Sequence, residues 1–164
     1  MRSVWRWENV KLAILQNQWF EDPRAVQRMY DERPYMRNRL IARFLFMGCL
    51  TGRRLRKAFG DLCNGIIWEE ASPKVGAFSG SRYPADTEHI IRAIQKHGPD
   101  LILCFGQIAS EGVKPLALAI PVLYGPHPAA RTQGTIPALK VMAQEVSNLI
   151  VGGRETKPSL ITRR

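Results

Sequence analysis

The chain has 164 residues, a length that fits one domain with a core large enough to need no staples. Lysine and arginine number 24 against 14 aspartates and glutamates, a net charge of +10 that argues against acidic partners and for polyanions, nucleic acid above all. The three cysteines, Cys49, Cys63 and Cys104, include no Cys-x-x-Cys spacing, which argues against a disulfide scaffold and a zinc ribbon. A reducing compartment is expected, the cytoplasm or the nucleoid, and no stretch is long and apolar enough to span a membrane.

In chain order, Met1-Arg2-Ser3-Val4-Trp5-Arg6-Trp7 has no long apolar run behind it and is not read as a signal peptide. Residues 10–15 form an apolar run that predicts a buried strand, and Gln16-Asn17-Gln18-Trp19-Phe20 follows as a polar and aromatic cluster. Asp22 before Pro23 is a capping pair that opens a helix over 23–32. A second helix is expected over 37–49, with Leu40, Ile41, Phe44, Leu45 and Met47 apolar, and a short cationic one over 51–59. Most of the early basic excess, Arg24 to Arg43 and then Arg53, Arg54, Arg56 and Lys57, lies on these helices. Arginine outnumbers lysine, which suits bidentate phosphate contacts. The helix start at Thr51-Gly52-Arg53-Arg54 has the backbone and charge to hold a phosphate, although a solvated basic face explains it as well.

A second strand over 65–68 ends in Glu69-Glu70-Ala71-Ser72-Pro73, and Ser79-Gly80-Ser81-Arg82 is a small-residue loop suited to close approach to a nucleic-acid backbone. Asp86 caps a helix over 86–96 that places Ile90, Ile91 and Ile94 on one face. A strand over 100–105, a helix over 107–117, a strand over 120–124 and a helix over 135–151 complete the set. The strands lack alternation, as strands covered on both faces do, and their alternation with helices predicts an α/β layered fold with a parallel sheet. Chemistry in such sheets gathers beyond the carboxyl ends of the strands. The last strand leads to Tyr124-Gly125-Pro126-His127-Pro128-Ala129-Ala130-Arg131, where two prolines present a histidine stiffly.

His127-Pro128-Ala129-Ala130-Arg131 resembles the second motif of the uracil-DNA glycosylase superfamily, a His-Pro-Ser-Pro type loop. Gln16-Asn17-Gln18-Trp19 is similar in place to that family's first motif, and residues 65–71 fall where it has a base-reading strand end. The resemblance spans roughly residues 10–150 and implies a three-layer α/β sandwich with a central four-stranded parallel sheet flanked by helices. Length and composition are read as a single domain over 1–151 followed by a basic tail over 152–164, and the resemblance implies a monomer acting on DNA, duplex or single-stranded, without metal or cofactor. The implied activity is flipping of uracil or a related pyrimidine out of the stack and hydrolysis of its glycosidic bond.

In that reading His127 stabilises the departing base and Asn17 orients water on the sugar. Gln16, Gln18, Trp19, Phe20, Phe46 and Glu70 form the base pocket, with Tyr35 a further candidate for its aromatic floor. Arg131 serves as a wedge or a phosphate contact, and Arg53, Arg54 and Arg82 hold DNA. The first motif departs from the family pattern: Leu15 stands for its glycine and Gln18 for its proline. Glu70 stands where an asparagine commonly reads uracil. An ionised carboxylate only accepts and favours a base with an exocyclic amine, unless Glu69 or Glu70 simply pairs with an arginine. A non-catalytic DNA-binding chain and a nucleoside- or nucleotide-processing enzyme are the alternatives. The latter is weakened by the lack of a glycine-rich phosphate loop after the first strand.

Overall fold

Lys11-Leu12-Ala13-Ile14-Leu15 is buried at every position, which only a strand with neighbours on both edges and layers on both faces provides. It forms β1 (Lys11–Leu15), with β2 (Ile66–Glu70) on one side, β3 (Leu101–Phe105) on the other and β4 (Val122–Gly125) beyond β3. All three pairings are parallel, and the sheet order is β2-β1-β3-β4. The computed structural model describes residues 9–155, so the readings at 1–7 and over 156–164 lie outside the described residues.

The pleat sends alternate side chains to opposite faces. Ala13, Leu15, Trp68, Leu103 and Phe105 meet α1 (Pro23–Glu32), α2 (Arg37–Phe46), α3 (Leu50–Phe59) and α6 (Thr135–Glu155) in one core. Leu12, Ile14, Ile102 and Cys104 meet α4 (Thr87–His97) and α5 (Gln107–Val113) in the other. The molecule is thus an α/β three-layer sandwich with a four-stranded parallel sheet between helices. Full burial of each such aliphatic or aromatic side chain contributes about 1.5–3 kcal/mol before entropy is counted.

Several boundaries differ from the sequence reading for local reasons. β2 runs on to Glu70, which pairs in register with Leu15, because neighbouring groups satisfy both of its acids. α2 stops at Phe46 rather than residue 49, because Gly48 turns the chain at φ +122° and Cys49 caps α3. α5 stops at Val113, since Pro115 has no N–H to continue the ladder and a short 3-10 turn, Lys114–Leu116, replaces it. β4 is an edge strand and is not covered throughout: Tyr124 is exposed. α6 continues to Glu155, so the expected boundary at 151 falls inside a helix.

Candidate active site

The chain leaves β1 toward β2 on one side of the sheet, while β3 lies on the other. The carboxyl ends of β1 and β3 therefore flank a topological switch point, where open α/β sheets form their crevice. A cavity of about 530 Å³ opens there. Gln16, Asn17, Gln18 and Trp19 after β1, Glu70 at the end of β2, and His127 and Arg131 after β4 all line it. Arg82 and Ser79 join from the loop after β2, and Ile41, Leu45, Leu50 and Thr51 from α2 and α3 give it an apolar wall.

The His127 loop is held from both ends. Gly106 N–H donates to Gly125 O at 2.8 Å, and Gly106 sits so close that a Cβ there would meet the His127 Cβ at 3.0 Å. Arg54 donates through Nη1 to Pro128 O at 2.9 Å and Ala130 O at 2.7 Å. Ala129 N–H donates to His127 Nδ1 at 3.1 Å, which makes Nδ1 an acceptor and leaves the ring proton of the neutral form on Nε2. Burial, helped by the Arg82 charge, holds the imidazole down at about 4. At neutral pH His127 is therefore an uncharged ring with one N–H donor in the cavity wall.

Glu69 and Glu70 are both buried but serve differently. Glu69 Oε1 accepts from Arg37 Nε at 2.9 Å and from the Glu70 N–H at 2.8 Å, and lies 3.2 Å from His89 Nε2. Its Oε2 accepts from Asn38 Nδ2 at 3.0 Å. Burial alone would raise this acid. The His89 contact, the Arg37 guanidinium and the Glu70 N–H outweigh it and hold Glu69 at about 2. Glu70 receives less: the Gln18 N–H on Oε2 and the edge of Arg37, whose Nη2 stands 3.6 Å from Oε1. Burial pushes it up to about 8, against the Gln18 N–H and Arg37 and with the repulsion of Glu69. The arginine pairing considered from sequence thus belongs chiefly to Glu69. Glu70, in the cavity wall, is thus held well above the ordinary carboxylate range, which favours a protonated form able to donate as well as accept.

Asn17 lies in the cavity wall, but its amide is committed. Nδ2 donates to Ser81 O at 2.8 Å, and Oδ1 accepts from Tyr83 N–H at 3.0 Å. Together with the Gly76 N–H to Gln18 O bond at 3.0 Å and the Phe20 N–H to Gly76 O bond at 2.9 Å, it ties the loop after β2 to the end of β1. For a water molecule only a remaining Oδ1 lone pair is left, so Asn17 is a brace before it is anything else.

Other expectations are corrected by packing. Phe20 lies edge-on to Phe44 at 5.0 Å and Phe46 edge-on to Trp68 at 5.3 Å; both pack against the core and neither lines the cavity. Tyr35 is exposed and also away from it, so Trp19, 48% exposed, is the aromatic at the mouth. Arg54 is spent on the His127 loop instead of standing free for phosphate. Arg53 is exposed on α3 outside the cavity lining, whereas Arg82 and Arg131 are exposed in it. Sequence reasoning missed Arg37, Asn38 and His89 as partners of the acids; they lie 20 to 32 residues from Glu69 and no local spacing marks them. Among the described residues no three His, Cys, Asp or Glu side chains gather as a metal-binding group, and no described helix is long and apolar enough to cross a membrane.

Comparison with protein-family models finds no match for this chain, and comparison with curated proteins finds none either.

Proposed function

We propose that the chain is a DNA N-glycosylase that takes a pyrimidine, uracil or a related base, out of the stack and hydrolyses its bond to the sugar. The observation that carries this reading is His127, whose Nδ1 accepts the Ala129 N–H and so leaves Nε2 as the donor, in one cavity with the ends of β1 and β2. A volume of about 530 Å³ is of the size that receives a nucleobase with its sugar. The glycosidic bond breaks with its electron pair going to the base, which becomes an anion, while the sugar becomes an oxocarbenium ion. Water adds to that carbon and loses a proton to solvent.

His127 donates a hydrogen bond from Nε2–H to the anionic base oxygen and keeps its proton. A fixed donor of this kind in a dry site is worth about 2.7–4 kcal/mol of barrier, roughly 10²–10³ in rate. Protonated Glu70 offers an O–H donor to the base edge opposite the sugar, while its Oε2 keeps the Gln18 N–H. Asn17 acts as a positioning residue through the loop it braces. Arg131 and Arg82 hold the backbone at the mouth, with Arg53 farther out on α3. No metal or cofactor takes part. The test is incubation with oligonucleotides bearing uracil or modified pyrimidines, followed by alkaline cleavage at abasic sites. Folded protein that yields no abasic site across the panel overturns the reading.

The commitment of Asn17 to Ser81 and Tyr83 favours a second reading, in which the same cavity binds an everted base without turnover. It predicts binding of the same oligonucleotides with no abasic product at any enzyme excess.

A further inference from the structure

We infer that the mouth of the cavity is a stacking platform for single-stranded DNA, so that the strand bearing the target base is bound unpaired. This names the substrate class of the same site and rests on the preceding reading for what enters the cavity. Two aromatic side chains stand exposed on neighbouring segments: Trp19, in the cavity wall, at 48%, and Phe78, on the loop after β2 and outside the cavity lining, at 64%. Trp19 lines the cavity, and so does Ser79, the residue after Phe78. The segments are joined, since Trp19 bridges Gly76 in parallel and Gly76 exchanges backbone hydrogen bonds with Gln18 and Phe20.

Phe78 is held on a turn closed by the Ser81 N–H to Phe78 O bond at 2.8 Å, and Asn17 anchors the far end of that turn. The rings are therefore presented on braced backbone, which lowers the ordering cost of binding. Arg82 on the same loop and Arg131 across the cavity supply the cations a phosphate backbone needs. In a duplex the base faces are covered by their neighbours, so an exposed ring finds a partner only where the strand is unpaired. Rings beside cations are the arrangement that single strands occupy. The segment after β1, which lacks the proline of the resembling motif, is thus the part that fixes the platform in place.

The experiment is fluorescence anisotropy of the whole chain with a labelled single strand of ordinary bases and with its duplex. No excisable base is present, so the result is independent of turnover. The strand is expected to bind more tightly than the duplex, and W19A and F78A each to weaken strand binding by about 5- to 100-fold. W19F, which keeps a ring, is expected to retain most of the affinity, and R82A to lower the salt slope by about 1 while leaving the strand preference. Duplex affinity equal to or above that of the strand, or W19A and F78A within about twofold of the parent, overturns the inference. If the strand binds as stated but no base is excised from any oligonucleotide, the inference stands and the glycosylase reading fails.

Discussion

Glu70→Gln separates the two buried acids by their opposite dependence on pH. In the folded protein the Glu70 acid lies at about 8 against an ordinary value of 4.5, because burial outweighs the Gln18 N–H and Arg37. Between those values the folded state keeps a proton that the unfolded chain releases. Stability from this group is therefore complete below about pH 4.5 and falls as pH rises through 8. At roughly 1.4 kcal/mol per pH unit, the full separation from 4.5 to about 8 amounts to about 5 kcal/mol as an upper bound. Glutamine matches the protonated acid in shape and does not titrate, so E70Q removes the slope. Arg37 retains Glu69 in either form. Urea unfolding of parent and variant at about pH 5 and about pH 9 is expected to show similar stabilities at the lower pH, with E70Q more stable by about 2–5 kcal/mol at the higher. The same difference between the two proteins at both values refutes the raised acid.

Arg54→Ala removes two charge-assisted hydrogen bonds to the His127 loop and is expected to lower stability by about 2–3 kcal/mol in thermal unfolding. Lysine at that position restores little, because one ammonium does not reproduce the fork. Gly52→Ala would place a Cβ 1.7 Å from Leu45 O, a backbone atom at the α2–α3 crossing. A loss of about 3 kcal/mol or more is expected by the same assay, beyond ordinary overpacking. With His127 held at about 4 and acting as a neutral donor, the pH profile of kcat/KM is expected to stay level on its acid side until pH falls through about 4. An acid limb near the ordinary histidine value of 6.5 contradicts that role.

The four strands were legible because short continuous apolar runs bounded by polar residues have few other fates in a chain of this size. Asp22-Pro23 and Asp86 marked their helix starts correctly, since both carboxylates accept from the third residue on. The strand-end rule then brought His127, Glu70 and the segment after β1 to one place. Their individual roles were hidden for physical reasons. An asparagine beside a strand end offers the same donor and acceptor to water as to backbone, and Ser81 and Tyr83 lie more than 60 residues away. Phe20 and Phe46 carry the same ring whether they floor a cavity or fill a core, and only packing distinguishes them. Arg54 reads as a phosphate cation until two carbonyls are found against it. The uneven sharing of Arg37, 2.9 Å from Glu69 and 3.6 Å from Glu70, helps set the two acids apart, and adjacency in sequence does not reveal it.

Donation by His127 to a departing base is the central claim. Single-turnover excision from a single strand carrying the preferred base, compared for the parent and His127→Ala with strand affinity measured in parallel, tests it most directly. The expected result is excision by the parent and a loss of roughly 10²–10³ in rate for the variant at nearly unchanged affinity. Excision by His127→Ala at the parental rate contradicts it.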